Sequence, residues 1–372
     1  MIYNSKKQEA KTEKLVSSGL PGVSFRVPTN TNILLLRTVI VYIFGYAKRN
    51  KKIICAAAIG ALALTGCSAG AKGAQNGKVD AVASFYPLAY VTSQVGGDLV
   101  QVTNLTPSGE AHDVELSAKD LTTMSRTDAL IYLSGFQAAV DDAVKEAAPK
   151  NTLDVAKAAK LKKLSAEEAA EHEAEHDHEG EHEADHEDEH EEAGHDHHHH
   201  GAFDPHFWLD PQRLSQVVPQ VVATLTKADP KHADTFKKNG KALQDKLATL
   251  DKEYRTGLAK CATPTAVTAH EAYGYMADRY GFEQVGVKGV DPEAETSLTR
   301  LQEVANIAKA KKVNVLFSES ALGDKDTKTL AEQLGIKSEV LDPLEIQVDK
   351  NRDYLQVMQD NLEKLSKAMK CQ

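Results

Sequence analysis

The sequence predicts an α/β protein of two similar lobes, each a mainly parallel sheet flanked by helices, joined by one long linking helix. Three observations predict it. From Lys78 to Leu164 short apolar runs alternate with amphipathic stretches, the βαβα rhythm of a parallel layer. From about Lys231 to Lys260 Leu and Tyr recur at helical spacing, with no Gly or Pro between Gly240 and Gly257. That segment would extend roughly 28 residues, or ~42 Å at ~1.5 Å per residue. Beyond Cys261 the strand and helix alternation restarts and runs on through the last helix. With 372 residues, 41% of them hydrophobic, the chain has enough apolar material for two cores.

Taken in order, VDAVASFYPLAYVTSQVGG reads as a strand, a turn region at Pro87 and an amphipathic helix ending at Gly96-Gly97. VQVTNLTPSGEAHDVE is a second strand and a loop carrying His112. SAKDLTTMSRT is a helix with Ser117 as its cap, and ALIYLSG a short buried strand. FQAAVDDAVKEAA is the next helix. Past a polar interruption, DPHFWLDP leads into a helix over Gln212 to Lys227, and the long helix follows. TAVTAH, EQVGVKGV, VNVLFSES and SEVLDPLE are the strands of the second lobe. AYGYMADRYG, SLTRLQEVANIAKAKK, KTLAEQLG and a segment from about Tyr354 are its helices. The expected divisions are a leader over 1–66, a tether over 67–77, a first lobe over 78–229, the linking helix over 230–260 and a second lobe over 261–372.

The leader carries the basic cluster Lys48, Arg49, Lys51 and Lys52, followed by the apolar run Ile53 to Leu64. These are the two parts of an export signal, and a run of 12 residues is too short to span a bilayer, which needs ~20. Leu64-Thr65-Gly66-Cys67 then resembles a bacterial lipobox, with Cys67 as the lipidated first residue of the mature chain and Ser68 to Lys78 as its small, polar tether. An export signal belongs near the N-terminus, so translation is expected to begin around residues 38 to 48. Cys55 lies inside the signal. Cys261 and Cys371 remain, and two thiols of an exported protein are expected to pair.

The formal charge of −10 conceals two opposed sources, ten Lys/Arg against two Glu in residues 1–66 and fourteen uncompensated carboxylates in 171–200. What remains is near neutral, so no basic patch points to nucleic acid. The stretch Glu171 to His200 holds eleven of the fifteen histidines: His172, His176, His178, His182, His186, His190, His195, His197, His198, His199 and His200. It contains almost nothing apolar to bury, which makes it a solvated, disordered loop. Its imidazoles suit zinc, copper, nickel or iron rather than calcium or magnesium.

Outside that loop four histidines are left. His112, His206 and His270 fall at strand ends or turns, where α/β folds place ligand groups. His232 lies among Lys and Asp at a helix start and reads as exposed and idle. On DPHFWLDP, HEAYGYMADRYGFEQVGVKGVDPEAE and LDPLEIQVDKNRDYLQVMQDNLEKL the chain resembles the zinc-uptake solute-binding lipoproteins of ABC transporters, from Lys78 to its end. The resemblance implies a metal cleft between the lobes, with His112, His206 and His270 as ligands. It implies a carboxylate from the second lobe as the fourth, Glu345 in LDPLE, with Glu319 in FSES as the competing choice. Two positions depart from the family pattern: Ala111, where some relatives carry Glu, and Ala294-Glu295-Thr296, where Glu-Pro-Ser is more usual.

Three neutral imidazoles and one carboxylate make a tetrahedral zinc site, whereas manganese prefers more oxygen. The donor set favours zinc, and the resemblance implies capture of Zn2+ by a monomer anchored on the outer face of the bacterial cytoplasmic membrane, and delivery to the importer's permease. The His-rich loop would be an auxiliary, weak collector. The alternatives are a metal-binding adhesin, a zinc-storage lipoprotein or a manganese-specific relative. A zinc hydrolase is not expected, because His270-Glu271 is followed by Ala-Tyr-Gly-Tyr and not by the second His of HExxH. There is also no Walker A motif and no G-x-G-x-x-G. Since only neutral imidazole ligates, metal affinity is expected to fall as the pH drops through ~6.5.

Overall fold

The computed structural model describes residues 77–147, 149–164, 203–319 and 325–372. The leader, Cys67, the tether and the eleven histidines of 171–200 lie outside the described residues.

In the first lobe, strands β1 (Val79–Ala83), β2 (Val100–Asn104), β3 (Ala129–Tyr132) and β4 (Thr152–Asp154) form a parallel sheet of order β2-β1-β3-β4. Helices α1 (Tyr86–Gly96), α2 (Ala118–Arg126), α3 (Ala138–Ala147) and the single turn α4 (Ala156–Ala159) connect and follow them. A two-stranded antiparallel ladder of β5 (Lys162–Lys163) and β6 (Phe203–Asp204) follows, and then helix α5 (Pro211–Ala228). After α6 (Ala233–Gly257), the second lobe holds β7 (Thr265–Thr268), α7 (Gly274–Tyr280), β8 (Glu283–Gly286), α8 (Leu298–Ala310), β9 (Val315–Ser318), α9 (Lys325–Leu334), β10 (Lys337–Val340) and α10 (Tyr354–Ala368). Its sheet is parallel, of order β10-β9-β7-β8. Read along the chain, each sheet therefore has the same arrangement, second, first, third and fourth strand. In each, the winding reverses between the first and third strands, which opens a crevice at their carboxyl ends.

Local chemistry explains the elements. The central strands VDAVA, ALIY, TAVT and VLFS are buried almost throughout, as strands covered by helices on both faces must be. Ser117 and Asp120 form a capping box on α2, and Asp353 and Gln356 another on α10. Asp210 caps α5 by accepting from the backbone of Gln212 and Arg213, with Pro211 in the first turn, where no donor is needed.

The long helix α6 is shorter than its periodicity suggests, 25 residues, because Pro230–His232 forms a separate 3-10 turn. Asp229 accepts there from Lys231 N and pairs with the His232 ring, so His232 belongs to the helix start and stands apart from the other three histidines. The helix packs on α1, α5 and α10, burying Phe236, Leu243, Leu247, Leu250 and Tyr254. Gly240 lets α5 come close, since a Cβ there would sit 2.5 Å from Val222 Cγ2. Pro219, inside α5, cannot donate to the carbonyl of Ser215, and Gln244 of α6 donates to that carbonyl instead, at 3.3 Å.

One hydrophobic core runs from the first lobe through α6 into the second. Trp208 is at its centre, fully buried, with Phe85 and Phe136 rings 4.9 and 5.6 Å away. Its indole N–H donates across the lobes to Pro343 O at 2.8 Å, and Tyr354 Oη donates to Trp208 O. Tyr90 stacks on Tyr354 at 5.2 Å, and Arg279 pairs with Asp210.

SEVLDPLE is not a strand throughout: β10 ends at Val340, Leu341 N adds a last bond to Ser318 O, and the chain then leaves the sheet and bends at Glu345 and Ile346. Cys261 and Cys371 are joined by a disulfide, and backbone bonds from Thr263 N to Met369 O and Gln372 N to Lys260 O run beside it. No helix among the described residues is long and apolar enough to cross a membrane. The disulfide closes a loop of 110 residues that contains almost the entire second lobe. Replacing both cysteines by Ser should lower the unfolding free energy by about 3–5 kcal/mol, measured by urea denaturation with Trp208 fluorescence as the probe.

Candidate metal centre

Each candidate side chain reaches the cleft by a different route. His112 is carried by the loop after β2. Glu110 Oε1 accepts from the backbone of Ala111 and His112 at 2.8 and 3.1 Å, and buried Gln137 donates to Ala111 O at 2.9 Å. The Phe136 ring meets the imidazole edge-on at 4.8 Å. His206 follows β6, and Asp204 Oδ1 accepts from both its backbone N–H and its Nδ1–H, each at 2.9 Å. His270 stands two residues past β7, with Glu319 Oε1 2.5 Å from its Nδ1. Glu345 comes from the turn after β10.

These four meet. Among the described residues, His112, His206, His270 and Glu345 form the one group of His, Cys and carboxylate side chains close enough to hold a metal, each offering an atom within 4.8 Å of the others. Glu345 Oε1 is 3.5 Å from His112 Nε2, 3.3 Å from His206 Nε2 and 3.2 Å from His270 Nε2, and the last two nitrogens are 3.2 Å apart. His206 and His270 are fully buried, Glu345 is nearly so, and His112 is the most exposed of the four, at 13%.

Glu319, the competing choice for a fourth ligand, is not one of the four converging groups. Its carboxylate is behind the His270 ring, on Nδ1, and so fixes the tautomer that turns Nε2 toward the centre. Asp204 does the same for His206. Asp204 went unnoticed in the sequence although the signal was there, a carboxylate two residues before a candidate ligand in DPHF. Gln137 gave no signal, because its partner Ala111 is 26 residues away.

The electrostatics follow from this crowding. With both Nδ1–H groups committed to carboxylates, the two Nε2 lone pairs and the Glu345 oxygen face one another without a donor, and His112 Nε2 and Glu345 Oε1 have no hydrogen-bond partner at all. Such a set demands a cation or protons. Burial pushes the His270 imidazole down, but Glu319 and Glu345 outweigh it and hold it well above its ordinary value. For His206 burial likewise lowers and Asp204 with Glu345 raises, with a net rise. Burial would raise the Glu345 carboxyl, yet His112, His206 and His270 hold it well below the usual range.

Residues 81–368 match the family described as zinc-uptake complex component A, periplasmic. The chain is 36% identical over 294 residues to the zinc-binding protein AdcA of Streptococcus pyogenes, an alignment covering 78% of this chain and 56% of that one. It is 33% identical over 308 residues to the high-affinity zinc uptake system protein ZnuA of Bacillus subtilis, covering 81% and 90%. The chain thus spans little more than half the length of AdcA but most of ZnuA. Among solved structures, the Zn(II)-bound ZnuA-like domain of Streptococcus pneumoniae AdcA superposes with a TM-score of 0.61 at 29% identity, covering 79% of this chain and 99% of that one. A laminin-binding protein of Streptococcus agalactiae, described as having adhesin and metal-transporting activity, does so with a TM-score of 0.65 at 27% identity, covering 78% and 100%. With two lobes of that fold and a family match over most of its length, the chain belongs to the zinc-uptake complex component A family.

Proposed function

We propose that the protein captures Zn2+ outside the cytoplasmic membrane and hands it to the permease of an ABC importer, holding the ion between His112 and His206 of the first lobe and His270 and Glu345 of the second. The observation that carries this reading is a distance. Ligands at ~2.0–2.1 Å from a tetrahedral zinc lie about 3.3 Å from one another, and four of the six separations here are 3.2–3.5 Å. Three imidazoles favour zinc over manganese. Four protein ligands leave no open position for an activated water, so the site suits carriage and not hydrolysis. Membership of a zinc-uptake family and a Zn(II)-bound relative support the same ion.

In this reading residues 1–66 direct export, and Cys67 is lipidated and tethers the mature chain through residues 67–77. The divisions 78–229, 230–260 and 261–372 are the two lobes and their link. The carboxylate- and His-rich segment 171–200 gathers zinc weakly beside the cleft. A second reading, adhesion, is favoured by the relative described as both adhesin and metal transporter; it would use the outer surface and leave the metal centre as it is.

Three measurements test the proposal. The protein should bind one Zn2+ tightly in competition with a chromogenic chelator. His206→Ala should weaken that site by more than the about ten- to hundred-fold that altering a group behind a ligand costs; several comparable sites surviving the change would argue for storage. The same titration repeated between pH 8 and 6 should show affinity falling as protons compete for the rings. Because the His206 and His270 values are raised, the fall should set in above pH ~6.5; a flat profile would contradict it. Deleting 171–200 should leave the tight site nearly intact and slow growth only in zinc-depleted medium.

A further inference from the structure

His206 and His270 are oriented by carboxylates behind their rings, whereas Glu345 Oε1 has no hydrogen-bond partner. Its aim must come from the backbone that delivers it. Leu344, just before it, has φ +59°, a left-handed conformation unfavourable for a Leu. Such a conformation persists only where its surroundings impose it. Here Asp342 Oδ1 accepts from Leu344 N at 2.8 Å, the Leu344 side chain is buried, and Pro343 O is held by the Trp208 indole.

The start of the turn is fixed from α10. Asn361 is fully buried, and both ends of its amide are committed to one residue: Oδ1 accepts from Asp342 N at 3.2 Å, and Nδ2 donates to Asp342 O at 2.7 Å. A buried amide in the middle of a helix is costly unless both its polar groups are satisfied. The Asp342 peptide satisfies both, and is gripped in return.

We infer that Asn361 is a positioning residue for the metal: by clamping the Asp342 peptide it maintains the left-handed turn at Leu344 and so aims the Glu345 carboxylate at the three imidazoles. This rests on the ligand set proposed above. Without the clamp Leu344 relaxes to negative φ and the carboxylate that follows it turns away, while the histidines keep their own supports.

The test is a cycle in the full chain, with Zn2+ affinity measured by chelator competition for wild type, Asn361→Leu, Glu345→Ala and the double variant, and folding checked by circular dichroism and thermal melting. Asn361→Leu should lose about ten- to hundred-fold in affinity, yet change it by less than about two-fold when Glu345 is already Ala, because the two act as a unit. With Co2+ in place of Zn2+, the visible spectrum of Asn361→Leu should match that of Glu345→Ala and not that of wild type. Equal losses in both backgrounds, or no loss in either, would overturn the positioning role and leave the ligand set standing. Unchanged affinity in Glu345→Ala would overturn the ligand set and this inference with it. If Asn361→Leu does not fold, Asp342→Ala, which removes the acceptor for Leu344 N, takes its place in the cycle with the same expected outcomes.

Discussion

The hydrogen bond from the Trp208 indole to the carbonyl of Pro343 joins the two lobes at the point where the metal centre needs them joined. Trp208 is two residues from His206, and Pro343 is two residues from Glu345. A fully buried indole N–H left without an acceptor would cost about 1–3 kcal/mol, so neither segment can drift without the other. Around it Phe85, Phe136, Tyr90 and Tyr354 fill the junction, and Tyr354 returns a hydrogen bond to Trp208 O. The cleft is thereby the rim of a continuous core, and the placement of His206 against Glu345 is inherited from that packing.

Such rigidity is required because the site is electrostatically unfavourable by itself. Buried acceptors converge with no donor among them, an arrangement that a folded protein maintains only where the surrounding structure supplies the stability. The supports are distributed among elements that have their own partners: Asp204 in the β5–β6 ladder, Glu319 at the end of β9, Gln137 between the first sheet and the His112 loop, and Asn361 on α10. The result is a cluster able to hold a metal whose side chains are fixed by their own supports, so little ordering would remain to be done on binding.

The lobes share one strand order but use it differently. In the second lobe, the first and third strands flank the crevice, and their carboxyl ends deliver His270 and its partner Glu319 directly. In the first lobe His112 is eight residues past β2, in a long loop, and His206 is two residues past β6, a strand of the separate antiparallel ladder and not of the parallel sheet. His112, on the long loop, is the most exposed of the four groups.

The sequence by itself determined the α/β alternation, the long helix between two lobes and the residue types of the centre, because periodicity, capping residues and the scarcity of histidines outside 171–200 are local and countable. The Ser117 cap and the burial of ALIY were legible for the same reason. The role of Glu319 was not. A carboxylate at the end of a strand is equally able to bind a metal or the ring behind it, and only the position of His270 Nδ1 distinguishes the two. Nor could LDPLE reveal that Leu344 turns left-handed, since the amide that grips the Asp342 backbone is on a helix, 19 residues further on. Local chemistry fixed what could bind; the orientation of each group depends on contacts between segments far apart in the chain, and those the tertiary structure alone decided.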